Sequence, residues 1–565
     1  MSLRGNILNK KKIFGNTSFC IIFYLLAKIR LDLAFLLTIW SIIVTLESSI
    51  TEVSIKGNLE QFLIVLSVSL SVATISRIFS WFRQIPYTLL LVIVGLGLAF
   101  VDIRLVSLSP ELILEIFLPP LLFEAAWNIR WRSLKDSLIP VTLFAVIGVI
   151  ISVLGMAWSL STFTDLSLAT ALLIGASLSA TDPVSVVALF RELGASKRLT
   201  ILMEGESLFN DGVAVVAFVL LVGIPLGVEE FSLSNTIVQF FTFVGIGLGI
   251  GCTIGFGISY LTQRFDLPLV EQSLTLVSAY GTYLVTEELG GSGVIGVVTV
   301  GIILGNFGSR IGMNPRTRLL VSEFWEFLAF FVNSIVFLLI GDQIDIVSLG
   351  TNFDLILVAI AAVLVTRAIV IFGLGNISNQ LSKVQTNWRE QTVLWWGGLR
   401  GSVSIALALS VPIALNGRQE IIDTVFGVVL FTLLVQGLST QWLLETLGLI
   451  GDQPLRQEYS ELLARSVALN RVLAYLDNTE NLPDIDPEFL RYQRGLVKGE
   501  LQSIDDKISK MQREHDNLRS LSMEQLRERL LDIEADTYAE LIRAGQLNEN
   551  LSPVLQEIIV EADLT

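Results

Sequence analysis

Four acids and two arginines stand where the chain otherwise reads as hydrocarbon-soluble. Glu124, Asp182, Glu206, Asp211, Arg367 and Arg400 each interrupt a long apolar stretch. An ionisable group inside a bilayer costs about 3 kcal/mol or more, so such groups mark function before they mark packing. The densest segment is Glu204-Gly-Glu206-Ser207-Leu-Phe-Asn210-Asp211-Gly212. On a helix turning about 100° per residue, Glu206, Ser207, Asn210 and Asp211 fall within about 140° of one another. Carboxylate, hydroxyl and amide oxygens converging from one wall suit a dehydrated monovalent cation. A polar helix–helix contact is the competing reading, and two carboxylates on one face weigh against it. The only histidine, His515, lies far from this apolar part. The apolar part therefore has no imidazole for a metal site, a Ser/His/Asp triad or a histidine proton relay, and proton or cation chemistry has to run on carboxylates.

Two of the charges fall at helix breaks. In Ser179-Ala-Thr181-Asp182-Pro183 the proline removes a backbone donor and clashes with the carbonyl four residues back, so the helix opens. In Trp396-Gly397-Gly398-Leu399-Arg400-Gly401 the glycines do the same. Interrupted spans in matching places of two halves point to a transporter site at an inverted-repeat interface. A proline kink and close glycine packing explain each break alone, but not the charge that each one carries. Half-helix ends bear opposite partial charges, which Asp182 and Arg400 can neutralise. Arg400 stays protonated and needs an acid if buried, for which Glu206 is the choice; Arg367 needs one too, with Asp182 and Glu124 both open. Asp211 is then left as the acid free to bind.

The elements that position these residues follow from composition. Of 565 residues 52% are apolar and 16% charged, against about 25% charged in an ordinary globular chain. With a mean hydropathy of +0.68, a soluble protein is excluded. Stretches able to cross about 30 Å of hydrocarbon lie at 59–79, 85–101, 109–127, 138–160, 168–190, 201–222, 235–261, 268–289, 292–307, 320–343, 353–374, 391–413 and 420–444. The two breaks fall in the fifth and twelfth, which makes the first six and the last six the repeats. With the C-terminal end in the cytoplasm, nearly all loop lysines and arginines collect on that side, Arg104 and Arg418 excepted, in keeping with the positive-inside rule. Thirteen spans ending inside begin outside, yet Lys10, Lys11 and Lys12 precede a further apolar stretch at 33–49. A retained extra helix within residues 1–58 resolves the conflict, with a cleaved signal sequence as its rival. Residues 452–565 hold 13 Lys/Arg and 23 Asp/Glu. They read as an acidic tail of two helices, 456–478 and 487–519, broken at Asn481-Leu482-Pro483-Asp484. The net charge of −15 speaks against nucleic acid as a partner. Gly245, Gly247, Gly249 and Gly251 read as close-packing residues, and no Walker A loop or Thr-Val-Gly-Tyr-Gly filter occurs.

Leu118-Pro-Pro-Leu-Leu-Phe-Glu124, Ala180-Thr-Asp-Pro-Val184, Gly205-Glu-Ser-Leu-Phe-Asn-Asp211 and Gly397-Gly-Leu-Arg-Gly401, in that order, closely resemble the sodium/proton exchangers of the cation:proton antiporter-1 family. The resemblance covers residues 59–444. It implies an all-α polytopic membrane protein with a thirteen-helix inverted-repeat core of crossed, discontinuous helices and a dimerisation part. It further implies a homodimer in the lipid of a bacterial plasma membrane, a cytoplasmic tail, and no cofactor beyond the transported Na⁺ or Li⁺ and H⁺. By the same resemblance Asp211 is the essential ion-binding carboxylate. Glu124, Thr181 through its backbone and Ser207 complete the cation shell, Asp182 lies beside it, and Asn210 with a Glu206–Arg400 bridge holds the site. The Asn210-Asp211 pair is similar to that of electroneutral exchangers, so one Na⁺ for one H⁺ is expected, with K⁺/H⁺ exchange on the same scaffold as the alternative. Two rivals stand outside the family. An intramembrane aspartyl protease would use Asp182 and Asp211 as its dyad, but two buried arginines keep both acids ionised when a dyad shares one proton. A cation channel would pass current without moving protons. The tail reads as a solvated helical appendage, with a regulatory or dimer-stabilising role open.

Overall fold

The computed structural model describes residues 61–76, 78, 85–100, 105, 108–226, 232–263, 267–382, 385–449, 453–478 and 487–514, with scattered residues between 530 and 546. The expected extra helix at 33–49 lies outside the described residues. Residues Met1–Val68 and Ser69–Thr565 form separate compact units, and of the first only 61–68 are described.

Every described regular element is helical, the arrangement that satisfies backbone groups where water is absent. In chain order the helices used below are α1 (Gln61–Ser76), α2 (Tyr87–Phe100), α3 (Leu118–Asn128), α4 (Leu138–Phe163), α5 (Leu168–Ser179), α6 (Val184–Leu193), α7 (Lys197–Val222) and α8 (Leu233–Thr262). They continue with α9 (Pro268–Glu288), α10 (Gly293–Ile303), α11 (Pro315–Asp342), α12 (Phe353–Leu381), α13 (Trp388–Trp396), α14 (Ser402–Leu409), α15 (Arg418–Leu447), α16 (Gln453–Asn478) and α17 (Pro487–Glu514). Described helix lies within each of the thirteen apolar stretches, and seven of the described helical spans are long and apolar enough to cross a bilayer unaided. Large apolar side chains such as Trp158, Phe241 and Phe327 are exposed, which suits a hydrocarbon solvent and not water.

The starts of the helices nearest the polar residues are fixed by local chemistry. Ser167 caps α5 by accepting from Thr170 N–H at 3.1 Å, and Ser196 caps α7 by accepting from Leu199 N–H at 3.3 Å. Asn387 and Glu390 form a capping box on α13. Wide π-helical turns interrupt α12 at Ile369–Leu374 and α15 at Thr432–Gly437; such turns re-aim side chains and recur near functional sites.

The glycine run in α8 is only half of what its composition suggests. Gly247 and Gly251, one turn apart, abut the start of α10 so closely that a Cβ would strike the carbonyls of Ser292 and Gly296, while Gly245 and Gly249 face open space. The tail forms a hairpin: α16 and α17 run antiparallel, burying Tyr459, Leu462, Ile504 and Ile508 between them. Arg494 pairs with Asp477 at 2.7 Å, and Ser466 Oγ donates to Asp505 at 3.1 Å. The sequence places these helices correctly, although α17 is described only to Glu514.

Candidate ion-binding site

The two broken spans touch at their breaks. After α5 the chain becomes extended at Ala180 and resumes as α6 beyond Pro183; between α13 and α14 the glycine-rich turn does the same. The Asp182 N–H donates to the Leu399 carbonyl at 2.8 Å, and Ser404 Oγ donates to the Ala180 carbonyl at 3.4 Å. One break therefore satisfies part of the other, as buried backbone groups require.

Charge is placed to match the four half-helix ends. Arg400 reaches back with one guanidinium nitrogen to the carbonyls of Ser179 and Ala180, both at 3.0 Å, and so covers the negative end of α5. Arg367 does the equivalent for α13, donating from Nη2 to Leu394 at 2.9 Å and from Nε to Trp395 at 3.2 Å. Asp182 accepts from Val184 N–H at 3.0 Å, at the positive end of α6. Its carboxyl also lies against Gly401, just before α14, where a Cβ would collide with it. These placements follow the rule that cations suit helix C-termini and anions N-termini.

The acid–arginine pairing differs from the sequence expectation. Glu206 is bridged in a two-pronged pair by Arg367, Nη1 to Oε1 at 2.8 Å and Nη2 to Oε2 at 3.2 Å, with both side chains buried. The expected Glu206–Arg400 bridge is not made, and the open choice for Arg367 falls on neither Asp182 nor Glu124. The reason is geometric: Gly398 lets the Arg367 guanidinium lie directly on the backbone of the second break, which aims the fork at α7. Arg400 is occupied by carbonyls instead.

On α7, Ser207 Oγ donates to the Thr181 carbonyl, and Asn210 Nδ2 donates to Thr181 Oγ1 at 3.3 Å. Thr181, Ser207, Asn210 and Asp211 are all buried. Asn210 Oδ1 and Asp211 Oδ1 are buried without a hydrogen-bond partner among the described residues. Two buried oxygen acceptors left without a hydrogen-bond partner cost free energy unless a cation or proton meets them. The charged groups acting on Asp211 are Asp182 and Arg400.

Glu124 stands apart from this cluster. Its carboxylate accepts from Asn128 Nδ2 at 2.5 Å, one turn on along α3, and the charges acting on it are Arg191, Glu204 and Glu326. Glu204 pairs with the exposed Arg191 at 2.7 Å. The structure thus brings Asp211, Asp182, Thr181, Ser207, Asn210 and Arg400 together and adds Glu206–Arg367 behind them, while the hydrogen bond of Glu124 is local to its own helix. Sequence reasoning missed Thr432, whose Oγ1 accepts from the Arg400 N–H at 3.1 Å; a lone threonine in an apolar span gives almost no signal.

The contact at Gly401 gives a direct test. Its φ of −138° is open to any residue, so Gly401→Ala changes only the contact with Asp182. An overpacking cost of about 1–3 kcal/mol is expected, read as a lowered Tm of the detergent-extracted protein together with reduced transport. Wild-type behaviour of both would mean that Asp182 is not held where the structure puts it.

Two discontinuous helices crossing at a buried carboxylate define the class, an inverted-repeat secondary transporter. Residues 66–446 match the family described as sodium/hydrogen exchanger, transmembrane, and the chain belongs to that family. It is 70% identical over 520 residues to the Na⁺/H⁺ antiporter ApNhaP of Aphanothece halophytica, covering 92% of this chain and all of that one. It is 65% identical over 506 residues to the low-affinity Na⁺/H⁺ antiporter NhaS1 of Synechocystis sp., covering 89% and 96%. The fold matches that of the sodium proton antiporter MjNhaP1 from Methanocaldococcus jannaschii with a TM-score of 0.56 at 22% identity, over 67% of this chain and 98% of that one. The chain is a multi-pass membrane transporter and not an enzyme.

Proposed function

We propose that the protein exchanges Na⁺, or Li⁺, for H⁺ by alternating access, one for one, in a bacterial plasma membrane, serving pH and sodium homeostasis. The observation that carries this reading is the pair of bare oxygens, Asn210 Oδ1 and Asp211 Oδ1, buried at the crossing of the two breaks. The relatives named as Na⁺/H⁺ antiporters support sodium over potassium as the cation. In this reading residues 59–444 hold a core part that moves against a dimerisation part of a homodimer, and residues 452–565 lie in the cytoplasm. Thr181, Ser207 and Asn210 surround the ion at Asp211, with Asp182 beside it. Glu124 serves on the approach from the Arg191–Glu204 side, where its charged neighbours lie.

Coupling needs only competition. Asp211 holds a proton or a cation, and an uncompensated carboxylate crosses a dehydrated barrier only at large cost. Protons therefore compete with Na⁺. Acidifying the cation side is expected to raise the apparent KM for Na⁺, approaching about tenfold per pH unit once Asp211 is mostly protonated. Proteoliposomes with a pH-sensitive dye inside, pulsed with Na⁺, Li⁺ or K⁺, measure this. A KM independent of pH would reject a shared site. Exchange indifferent to an imposed membrane potential is the one-for-one result, and exchange driven by the potential would require a second titrating acid.

A further inference from the structure

The outer face of α17 is built to meet its own copy. The helix buries one stripe against α16, ending in Ile504 and Ile508, and carries a second stripe that nothing described in the chain covers: Phe489, Tyr492 and Leu496, which are 55%, 64% and 52% exposed. At helical spacing this stripe continues as Gly499 and Ser503, where the surface dips into a depression that Lys507 and Lys510 also line. Large apolar side chains therefore occupy the N-terminal half of one face, and the small Gly499 and Ser503, flanked by Asp506, Lys507 and Lys510, the C-terminal half of the same face.

From this arrangement we infer that α17 pairs antiparallel with α17 of a second copy about a two-fold axis between Leu496 and Gly499. An isologous contact requires one patch that complements itself. Reversing the helix direction about that axis seats Tyr492 over Ser503, Leu496 over Gly499 and Phe489 over Asp506, next to Lys507, twice over. The charges on the face agree. Glu488 of one copy meets Lys507 of the other, and the Lys507 stem runs beside Phe489. A parallel pairing would instead set Glu488 against Glu488 and Lys507 against Lys507. A lipid surface is the less suitable occupant, because the face carries Glu488, Glu500 and Asp506 within a tail of net charge −10, 13 − 23, and anionic headgroups repel it.

The test uses the full-length protein in membranes, with Cys20→Ser and Cys252→Ser to remove the native thiols. Two differently tagged chains, one with Tyr492→Cys and one with Ser503→Cys, are co-expressed and mildly oxidised. The expected result is a mixed-tag disulfide band. Chains that all carry Tyr492→Cys should give little band, because their thiols sit 11 positions apart on facing helices. Adding Glu488→Lys to both chains should lower the mixed band by roughly fivefold, the effect of losing two exposed ion pairs, and Lys507→Glu added to both as well should restore it. A dominant Tyr492–Tyr492 band, a mixed band absent from well-expressed transporter, or flotation of the tail with anionic vesicles in place of cross-linking would each overturn the pairing.

Discussion

Asp211→Asn is expected to abolish exchange while leaving the protein folded. The substitution is nearly isosteric, and it falls on a side chain whose Oδ1 has no hydrogen-bond partner among the described residues. Few native contacts are therefore lost. What disappears is the negative charge that a dehydrated Na⁺ needs and the site that a proton can occupy in its place. Asp211 also lies close to Asp182, and removing one of two neighbouring acids relieves a repulsion, so the Tm of the detergent-extracted variant should be unchanged or higher. The paired measurement is Na⁺-driven pH change in proteoliposomes beside a melting curve on the same preparation. Background-level exchange with a normal melt is the expected result. Asn210→Ala provides the graded comparison: it removes the bare Oδ1 and the donor to Thr181, and should weaken Na⁺ binding while leaving some exchange. If folded Asp211→Asn still exchanged ions, the carboxylate at the crossing would not be the binding group.

The fold was legible where physics acts locally. Hydropathy marks every helix that positions the site, because length and apolar character are what a bilayer selects. Pro183 and the Gly397–Gly401 cluster mark the breaks, because proline and glycine act on their own backbone. The face of α7 was legible for the same reason, since helical spacing alone puts Ser207, Asn210 and Asp211 together. Pairings between helices were not legible. Whether Glu206 meets Arg367 or Arg400 depends on how the α12 side chain passes over Gly398, a contact between residues 31 positions apart. Both arginines also donate to backbone carbonyls, and every residue type offers a carbonyl, so no sequence pattern announces it. For Glu124 the motif suggests a place in the cation shell, while the contact seen is local: one carboxylate oxygen accepts from Asn128 one turn away. In α8 the glycine count was informative and the spacing more so, since Gly247 and Gly251, with Gly255 one turn on, share the face that meets α10, whereas Gly245 and Gly249 do not.

The Glu206–Arg367 pair carries the other large prediction. Both side chains are buried, 2% and 6% exposed, and removing one partner of such a pair leaves the other charge uncompensated, a loss of about 3–5 kcal/mol. Glu206→Ala and Arg367→Ala should therefore each fail to yield monodisperse protein at temperatures where Asp211→Asn is stable. The two are not equivalent. Arg367 also covers the α13 carbonyls, so Arg367→Ala exposes a helix end as well and should be the worse. Replacing the pair together with apolar residues, Glu206→Leu with Arg367→Met, removes both charges and should recover much of the stability, short of wild type by the carbonyl bonds that a methionine cannot make. Thermal denaturation followed by size-exclusion fluorescence on wild type, Glu206→Leu, Arg367→Met and the two combined gives the four corners of a double-mutant cycle. The same cycle run on Glu206 and Arg400 decides the assignment. Arg400 binds the Ser179 and Ala180 carbonyls rather than Glu206, so its coupling to Glu206 should be the smaller of the two. A larger coupling to Arg400 would place the bridge where the sequence motif suggests and would contradict the geometry described above.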